Sequence, residues 1–123
     1  MRSRFAAFAI GDAEYLWRTL HPDHEVRGRP KADVLRDLKA ASRTLKYMRL
    51  TILAAKDARV LFLAAIFAKG KDCSFVELST FAHDGTGWRY LFGDNRDARE
   101  VGDIARLTIE SFSDGRAAQR DPA

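Results

Sequence analysis

The residue with the clearest chemical potential is Glu77, a carboxylate inside a strongly apolar stretch. Period-two alternation over residues 73–82 places it on one strand face with Cys73, Phe75 and Phe81. A carboxylate on such a face lines a cavity or pairs with a base, because an isolated buried charge is costly. Two interpretations stay open: an ion pair that fixes a helix against the sheet, and a general acid or base inside a cavity.

Basic and aromatic residues from other segments are candidates to surround this carboxylate. Arg4, Arg18 and His21 belong to segments that should cover the sheet. Aromatic side chains with a polar tip either line a pocket or fill a core with that tip satisfied. The predicted pocket comprises Glu77, as the candidate catalytic residue, with Tyr15, Arg18, His21, Phe75, Phe81, Trp88 and Tyr90.

Other reactive residue types lack the spacing that metal or nucleophilic chemistry needs. His21 and His24 are three residues apart, but Pro22 breaks the helix that would align them. Cys73 is the only cysteine, which excludes a multi-cysteine zinc site, and no activating base is evident for it. No phosphate-binding or dinucleotide-binding glycine motif is present. We therefore expect neither a metal nor a cofactor.

Helical periodicity occurs in the N-terminal third and again near the C-terminus. It predicts helices over residues 3–10, 13–20, 30–41 and 97–112. Gly11 and Pro22 provide stops for the first two helices. The polar residues 113–123 are expected to form a flexible tail.

Strand periodicity follows the third helix. Alternation places Tyr47 on the opposite strand face from Leu50 and Ile52. Residues 60–68 are apolar on both faces, as in a central strand that is covered on both sides, and the DGTG sequence at residues 84–87 indicates a hairpin. Helices followed by antiparallel strands predict an α+β domain, with N-terminal helices packed on a curved sheet around a cone-shaped cavity.

Two stretches of the chain also match the pattern of a known domain. Residues 1–22 (MRSRFAAFAIGDAEYLWRTLHP) resemble the opening of the YchJ-type domain, an Arg-Ser-Arg-aromatic start, an Asp-Ala-x-Tyr-Leu helix and a His-Pro stop. Residues 75–94 (FVELSTFAHDGTGWRYLFGD) resemble its closing hairpin. The resemblance implies a nuclear-transport-factor-2-like (NTF2-like, or cystatin-like) fold for residues 1–94, followed by a helical extension over residues 95–112, and a family of uncharacterised bacterial proteins.

The chain departs from that pattern in several places. Leu78 and Thr80 stand where the family has arginines, which removes the charge of any anion site there. Family members usually carry a short cysteine-rich zinc motif of the SEC-C type, which this chain lacks. Met1 matches a methionine that is internal in the family, so either the start is assigned too far downstream or the motif was lost in evolution. The motif's association with protein export or ribosome-associated quality control is implied by resemblance alone.

Charge and hydropathy narrow the classes of partner. The 21 Lys and Arg and 17 Asp and Glu residues give a net charge of +4, and both signs are interspersed. Nucleic acid is therefore not an expected partner, because no basic stripe with interleaved aromatic residues is present. The longest apolar run, residues 60–68, is too short for a membrane span, and the N-terminal apolar stretch is too short for a signal peptide. We expect a cytoplasmic protein without membrane contact.

Two functions remain open on this basis. The first is a non-enzymatic accessory domain that holds a small apolar ligand or a protein partner. It could form a homodimer through the outer sheet face, with Tyr47, Leu61, Leu63 and Phe67 as candidate contacts. The second is an isomerase-type or dehydratase-type enzyme, in which Glu77 moves a proton and Tyr15 or Tyr90 stabilises an oxyanion. An enzyme needs Glu77 beside an open cavity, whereas a scaffold needs it paired with an arginine in a filled one.

Overall fold

Three helices precede an antiparallel sheet in the computed structural model, which describes residues 1–113. The helices are α1 (Arg2–Ile10), α2 (Ala13–Arg18) and α3 (Lys31–Thr44), with a 3₁₀ turn at Glu25–Gly28. The strands are β1 (Lys46–Lys56), β2 (Arg59–Ala68), β3 (Lys71–Asp72), β4 (Phe75–His83) and β5 (Trp88–Asp97). The predicted α+β class is confirmed. No helix of residues 1–113 has the length and apolar character that a membrane crossing requires.

The junction between α1 and α2 is fixed by local backbone chemistry. Gly11 adopts a left-handed conformation (φ 76°) that ends α1. The side chain of Asp12 then accepts a hydrogen bond from the backbone N–H of Tyr15 (3.1 Å) and caps α2. After α2 the chain is tied to β5, because the N–H of His21 donates to the carbonyl of Tyr90 (2.7 Å). This link brings β5 against the α2 end.

The long strands are ordered β1-β2-β4-β5, with β3 paired to one end of β2. A bulge in β1 between Tyr47 and Arg49 shifts the side-chain alternation. As a result, the prediction that Tyr47 lies opposite Leu50 and Ile52 is wrong, since all three pack on the helix-covered face. Cys73 precedes β4 and is exposed, so it does not share the inner face with Glu77.

The outer sheet face is covered by the chain's own C-terminal segment. Leu61, Val76 and Leu78 are buried there beneath Ile109 and Phe112. Leu61 is fully buried and Tyr47 faces inward. A homodimer contact through the outer sheet face would need both side chains to be exposed on that face, and neither is.

The predicted helix over residues 97–112 is corrected in its extent. Strand β5 continues to Asp97 because β4 offers a partner at Phe75, and Gly102 adopts a left-handed conformation (φ 72°) that interrupts a helix. Two 3₁₀ turns, Ala98–Glu100 and Ile104–Arg106, follow β5, and of the described residues after them only 109–113 are helical. The predicted tail lies outside the described residues beyond position 113.

We expect Phe112→Ala to lower the free energy of unfolding by about 3–5 kcal/mol, because it empties the space of a fully buried ring on the outer face. Urea denaturation followed by circular dichroism measures the change. Phe92→Ala is the control, since that ring is 48% exposed and its loss should cost about 1 kcal/mol or less. Equal losses for the two variants would show that the C-terminal segment does not pack on the sheet in solution.

Candidate functional site

Glu77 lies at the centre of the inner sheet face and is only 7% exposed. One carboxylate oxygen, Oε2, accepts hydrogen bonds from the hydroxyl of Ser79 (2.5 Å) and from that of Tyr90 (2.7 Å). Within residues 1–113 no donor contacts the other oxygen, Oε1. The carboxylate is thus held by one oxygen and retains acceptor capacity on the other.

Strand register explains why Tyr90 reaches this carboxylate. A bulge shifts the pairing between Thr80 and Phe81, so that Phe92 opposes Thr80 while Tyr90 opposes Phe81. Tyr90 therefore turns inward and does not share a strand face with Phe92, as regular alternation along β5 would predict. The N–H of Tyr90 also donates to the carbonyl of Thr19 (2.8 Å), which anchors this part of β5 to the end of α2.

Gly93 leaves the room that the carboxylate occupies. It pairs with Ser79 across the sheet, and a Cβ at this position would overlap the carboxylate of Glu77 and the hydroxyl of Tyr90. A glycine inside a strand often marks such a close approach. Glycine is therefore the residue that fits here.

Arg4 compensates the buried charge without a direct ion pair. Its guanidinium lies 4.6 Å from the ring centroid of Tyr90, and Nη1 donates to the carbonyl of Leu16 (3.0 Å) and to Oγ1 of Thr19 (2.5 Å). No ion pair within 4.0 Å joins it to Glu77, which differs from the direct pair expected of a scaffold. Burial lowers the pKa of Arg4, and the negative charge of Glu77 acts against that shift.

The hydroxyl of Tyr90 stays protonated in this arrangement. Burial raises its pKa far above the usual value, and the charge of Glu77 and the hydrogen bond to it act in the same direction. Tyr90 is therefore a permanent donor to Glu77 at physiological pH.

The carboxylate faces a cavity of about 300 Å³ between the helices and the sheet. Its walls are mostly apolar side chains from the three helices, from β2 and from Phe75 of β4. The polar lining groups are few, namely Arg4, His24, Tyr47, Glu77 and Tyr90. An apolar chamber with a small number of convergent polar groups has the composition of a small-molecule site.

The structure divides the predicted pocket residues between two places. Phe75, Glu77 and Tyr90 line the cavity. A second depression, of about 360 Å³, lies on the other side of Arg4 and Tyr90 and is bordered by Tyr15, Phe81 and Trp88. The hydroxyl of Tyr15 donates to Oγ of Ser3 (2.6 Å), so it points away from Glu77.

Arg18 and His21, the remaining predicted pocket residues, line neither space. The guanidinium of Arg18 packs over the ring of Tyr15 at 5.1 Å. The Nδ1 atom of His21 accepts the N–H of Asp23 (3.0 Å). Within the described part of the chain, no three His, Cys, Asp or Glu side chains converge as metal ligands would.

His24 also lines the cavity, although the sequence pointed to it only through its three-residue spacing from His21. Its Nδ1 accepts the N–H of Val26 (3.0 Å), which leaves Nε2 as the donor of the neutral ring. Burial lowers the pKa of His24, and the charges of Arg4 and Arg27 add to this against the opposing effect of Glu25. The ring also packs 5.7 Å from that of Tyr90.

We expect His24→Asn to reduce the loss of stability on acidification. The pKa of His24 is lower in the folded state than the usual value of 6.5. The folded protein therefore keeps the full stabilising contribution of the neutral ring above pH 6.5, and it loses that contribution as pH falls through the folded-state pKa. Asparagine keeps a side-chain cap but does not titrate. Melting temperatures measured above and below pH 6.5 test this, with His83→Asn as the control, because exposed His83 makes the same bond to Gly85 (3.1 Å). Equal effects of the two variants would contradict the argument from burial.

Gly93→Ala should lower the free energy of unfolding by about 1–3 kcal/mol, because its Cβ would push apart Glu77 and Tyr90. Gly28→Ala is the matched control, since no atom lies within 4 Å of the added Cβ and the effect should stay within about 0.5 kcal/mol. Chemical denaturation of both variants measures these changes in the free energy of unfolding. If Gly93→Ala were as mild as its control, the close approach would not exist in solution.

Comparison with known proteins agrees with this architecture. Residues 1–93 match the family model described as the YchJ, middle NTF2-like domain. A UPF0225 protein of Enterobacter sp. is 32% identical over 99 residues, covering 76% of this chain and 62% of that relative, so the chain spans less than two thirds of its length. UPF0225 proteins of Bordetella pertussis and Bordetella parapertussis are each 33% identical over 101 residues, covering 78% of this chain and 69% of each relative. No solved structure matches significantly. The chain belongs to the YchJ-like family of NTF2-like domains.

Proposed function

We propose that this domain binds a small molecule with an apolar body and one hydrogen-bond donor, which Glu77 accepts through Oε1. The observation that carries the proposal is the unequal use of the two carboxylate oxygens. Oε2 is occupied by Ser79 and Tyr90, whereas Oε1 has no donor from residues 1–113 and Glu77 lines the cavity. The second oxygen keeps its acceptor capacity at the cavity, and a ligand donor would give it a hydrogen-bond partner.

The walls set the size and character of the ligand. At about 300 Å³ the cavity is at the lower end of the range for small-molecule sites. Phe5, Phe62 and Phe75 contribute apolar surface around it, so most of the ligand would be desolvated on binding. Because Arg4 lies near Glu77, the site carries charges of both signs and favours a neutral ligand over a cation.

The same geometry favours binding over the isomerase-type mechanism. That mechanism needs a tyrosine hydroxyl that is free to stabilise an oxyanion. The hydroxyl of Tyr90 donates to Glu77, and that of Tyr15 donates to Ser3 beside the second depression. The proposed role of Glu77 is therefore to orient a ligand rather than to move a proton.

A pair of matched ligands and one substitution test this proposal. Indole and benzofuran have similar shapes, but indole offers a donor and benzofuran an acceptor. We expect the protein to bind indole about tenfold more tightly, because only indole can donate to Oε1. In Glu77→Gln the carbonyl oxygen must take the Oε2 position, since Tyr90 and Ser79 both donate there, and the amide then presents N–H groups to the cavity. The preference should reverse to benzofuran, as measured by ligand-observed NMR titration.

Glu14→Gln provides the control for this experiment, because Glu14 is an exposed carboxylate that pairs with Lys31 on the surface. It should leave the indole preference unchanged. Equal binding of the two ligands by the unaltered protein would refute the role of Oε1. Absence of binding by either ligand, with circular dichroism showing a folded chain, would refute an accessible cavity.

A further inference from the structure

A groove separate from the cavity lies at the end of the sheet where β1 begins. Its volume is about 710 Å³, and it runs between the C-terminal ends of α1 and α3 and the turn that joins β2 to β3. Tyr47 separates the groove from the cavity, because it contributes to the walls of both. The groove is open to solvent and takes no part in the binding proposed above.

The charged side chains that line the groove are all basic. Arg43, Lys46 and Lys69 contribute to its walls, and no Asp or Glu among residues 1–113 does. None of the ion pairs found among residues 1–113 involves these three side chains. Other surface arginines differ in this respect, since Arg29 pairs with Asp37 and Arg89 with Asp84. Positive charge is thus concentrated here, and no carboxylate of the described part of the chain pairs with it.

Apolar side chains are exposed between these cations. Met48 is 58% exposed and Phe67 36% exposed, and both line the groove. The bulge in β1 explains why Met48 is exposed, because it turns Tyr47 into the domain and leaves Met48 outside. Methionine adapts its shape readily and is common at surfaces that accept varied apolar partners.

The turn after β2 imposes on Lys69 a backbone conformation that lysine adopts at a cost. The β2–β3 turn holds Lys69 and Gly70 at positive φ (51° and 79°). Glycine or asparagine adopts this conformation at lower cost than lysine. Lys69 therefore supplies its charge to the groove at a conformational cost, in a turn where an uncharged residue fits better.

We propose that this basic groove docks an acidic peptide segment that carries at least one large apolar side chain. The apolar side chain packs on Met48 and Phe67, while flanking carboxylates contact Arg43, Lys46 and Lys69. Charge complementarity decides the class of partner, because three uncompensated cations around an apolar floor match alternating acidic and apolar residues. This surface adds a protein-docking function to the proposed small-molecule site.

Other occupants fit these observations less well. Single-stranded nucleic acid binds through successive aromatic stacking faces, but Phe67 is the one exposed aromatic ring that lines the groove among residues 1–113, and Tyr47 is turned inward. A second copy of this chain carries a net charge of +4 and would be repelled. A membrane is flat, whereas the cations here surround a concave floor.

Selection from a random peptide library displayed on phage tests the proposal, because such a library favours no particular peptide sequence at the outset. The full chain is the target, and counter-selection uses the Lys46→Glu, Lys69→Glu double variant. We expect enriched peptides to combine Asp or Glu with Leu, Phe, Ile or Met. A synthetic enriched peptide should bind the double variant at least about tenfold more weakly in fluorescence anisotropy, and its affinity should fall with added salt.

Lys56→Glu, Arg59→Glu is the matched control, because it makes the same charge change at the opposite end of the same β1–β2 pair. It should leave peptide affinity within about twofold of the original. Met48→Ser should weaken binding even though no charge changes. The proposal is overturned if no peptide survives counter-selection, if enriched peptides lack acidic residues, or if both double variants weaken binding equally. A preference for single-stranded DNA or anionic vesicles over the enriched peptide would also overturn it.

Discussion

The buried carboxylate of Glu77 is the constraint on which the inner half of the domain depends. A charge in an apolar interior is tolerated only when hydrogen bonds and a nearby opposite charge offset its desolvation. Here the offset comes from Ser79 on the same strand, from Tyr90 on β5 and, through the ring of Tyr90, from Arg4 on α1. One carboxylate thereby links a helix to two strands, and each link fixes a backbone position around the cavity.

Arg4 extends this linkage to the second helix. Its Nη1 donates to the carbonyl of Leu16 and to the hydroxyl of Thr19, both at the C-terminal part of α2. The Leu16 carbonyl belongs to a helix end, where backbone carbonyls lack intrahelical partners and favour a cation. The guanidinium therefore donates hydrogen bonds to the end of α2 on one side and stacks on the ring of Tyr90 on the other. Helix placement and carboxylate compensation are two consequences of the same side chain.

The sequence predicted the features that depend on local residue spacing, and it did not predict the side-chain orientations that depend on strand register. Alternation in β4 correctly turned Glu77 inward, and Gly11 and Asp12 indicated the α1–α2 junction. Bulges carry no clear sequence signal, so the inward turn of Tyr47 and the separation of Tyr90 from Phe92 were not predicted. The helix expected over residues 97–112 failed for a related reason, because an available strand edge at Phe75 overrode the helical pattern. The place of His24 in the cavity was not predicted either, because it depends on a non-repetitive loop.

The two faces of the sheet are filled to different degrees. On the outer face, Ile109 and Phe112 fill the space above Leu61 and Val76, and Phe112 is fully buried. On the inner face, Ala64 stands at the corresponding central position of β2, and the polar group around Glu77 occupies the floor. A sequence that packs one face with a phenylalanine could close the other by replacing Ala64 with a larger apolar residue. The small side chain of Ala64 and the Oε1 atom of Glu77 lie together at the cavity, as the proposed ligand site requires.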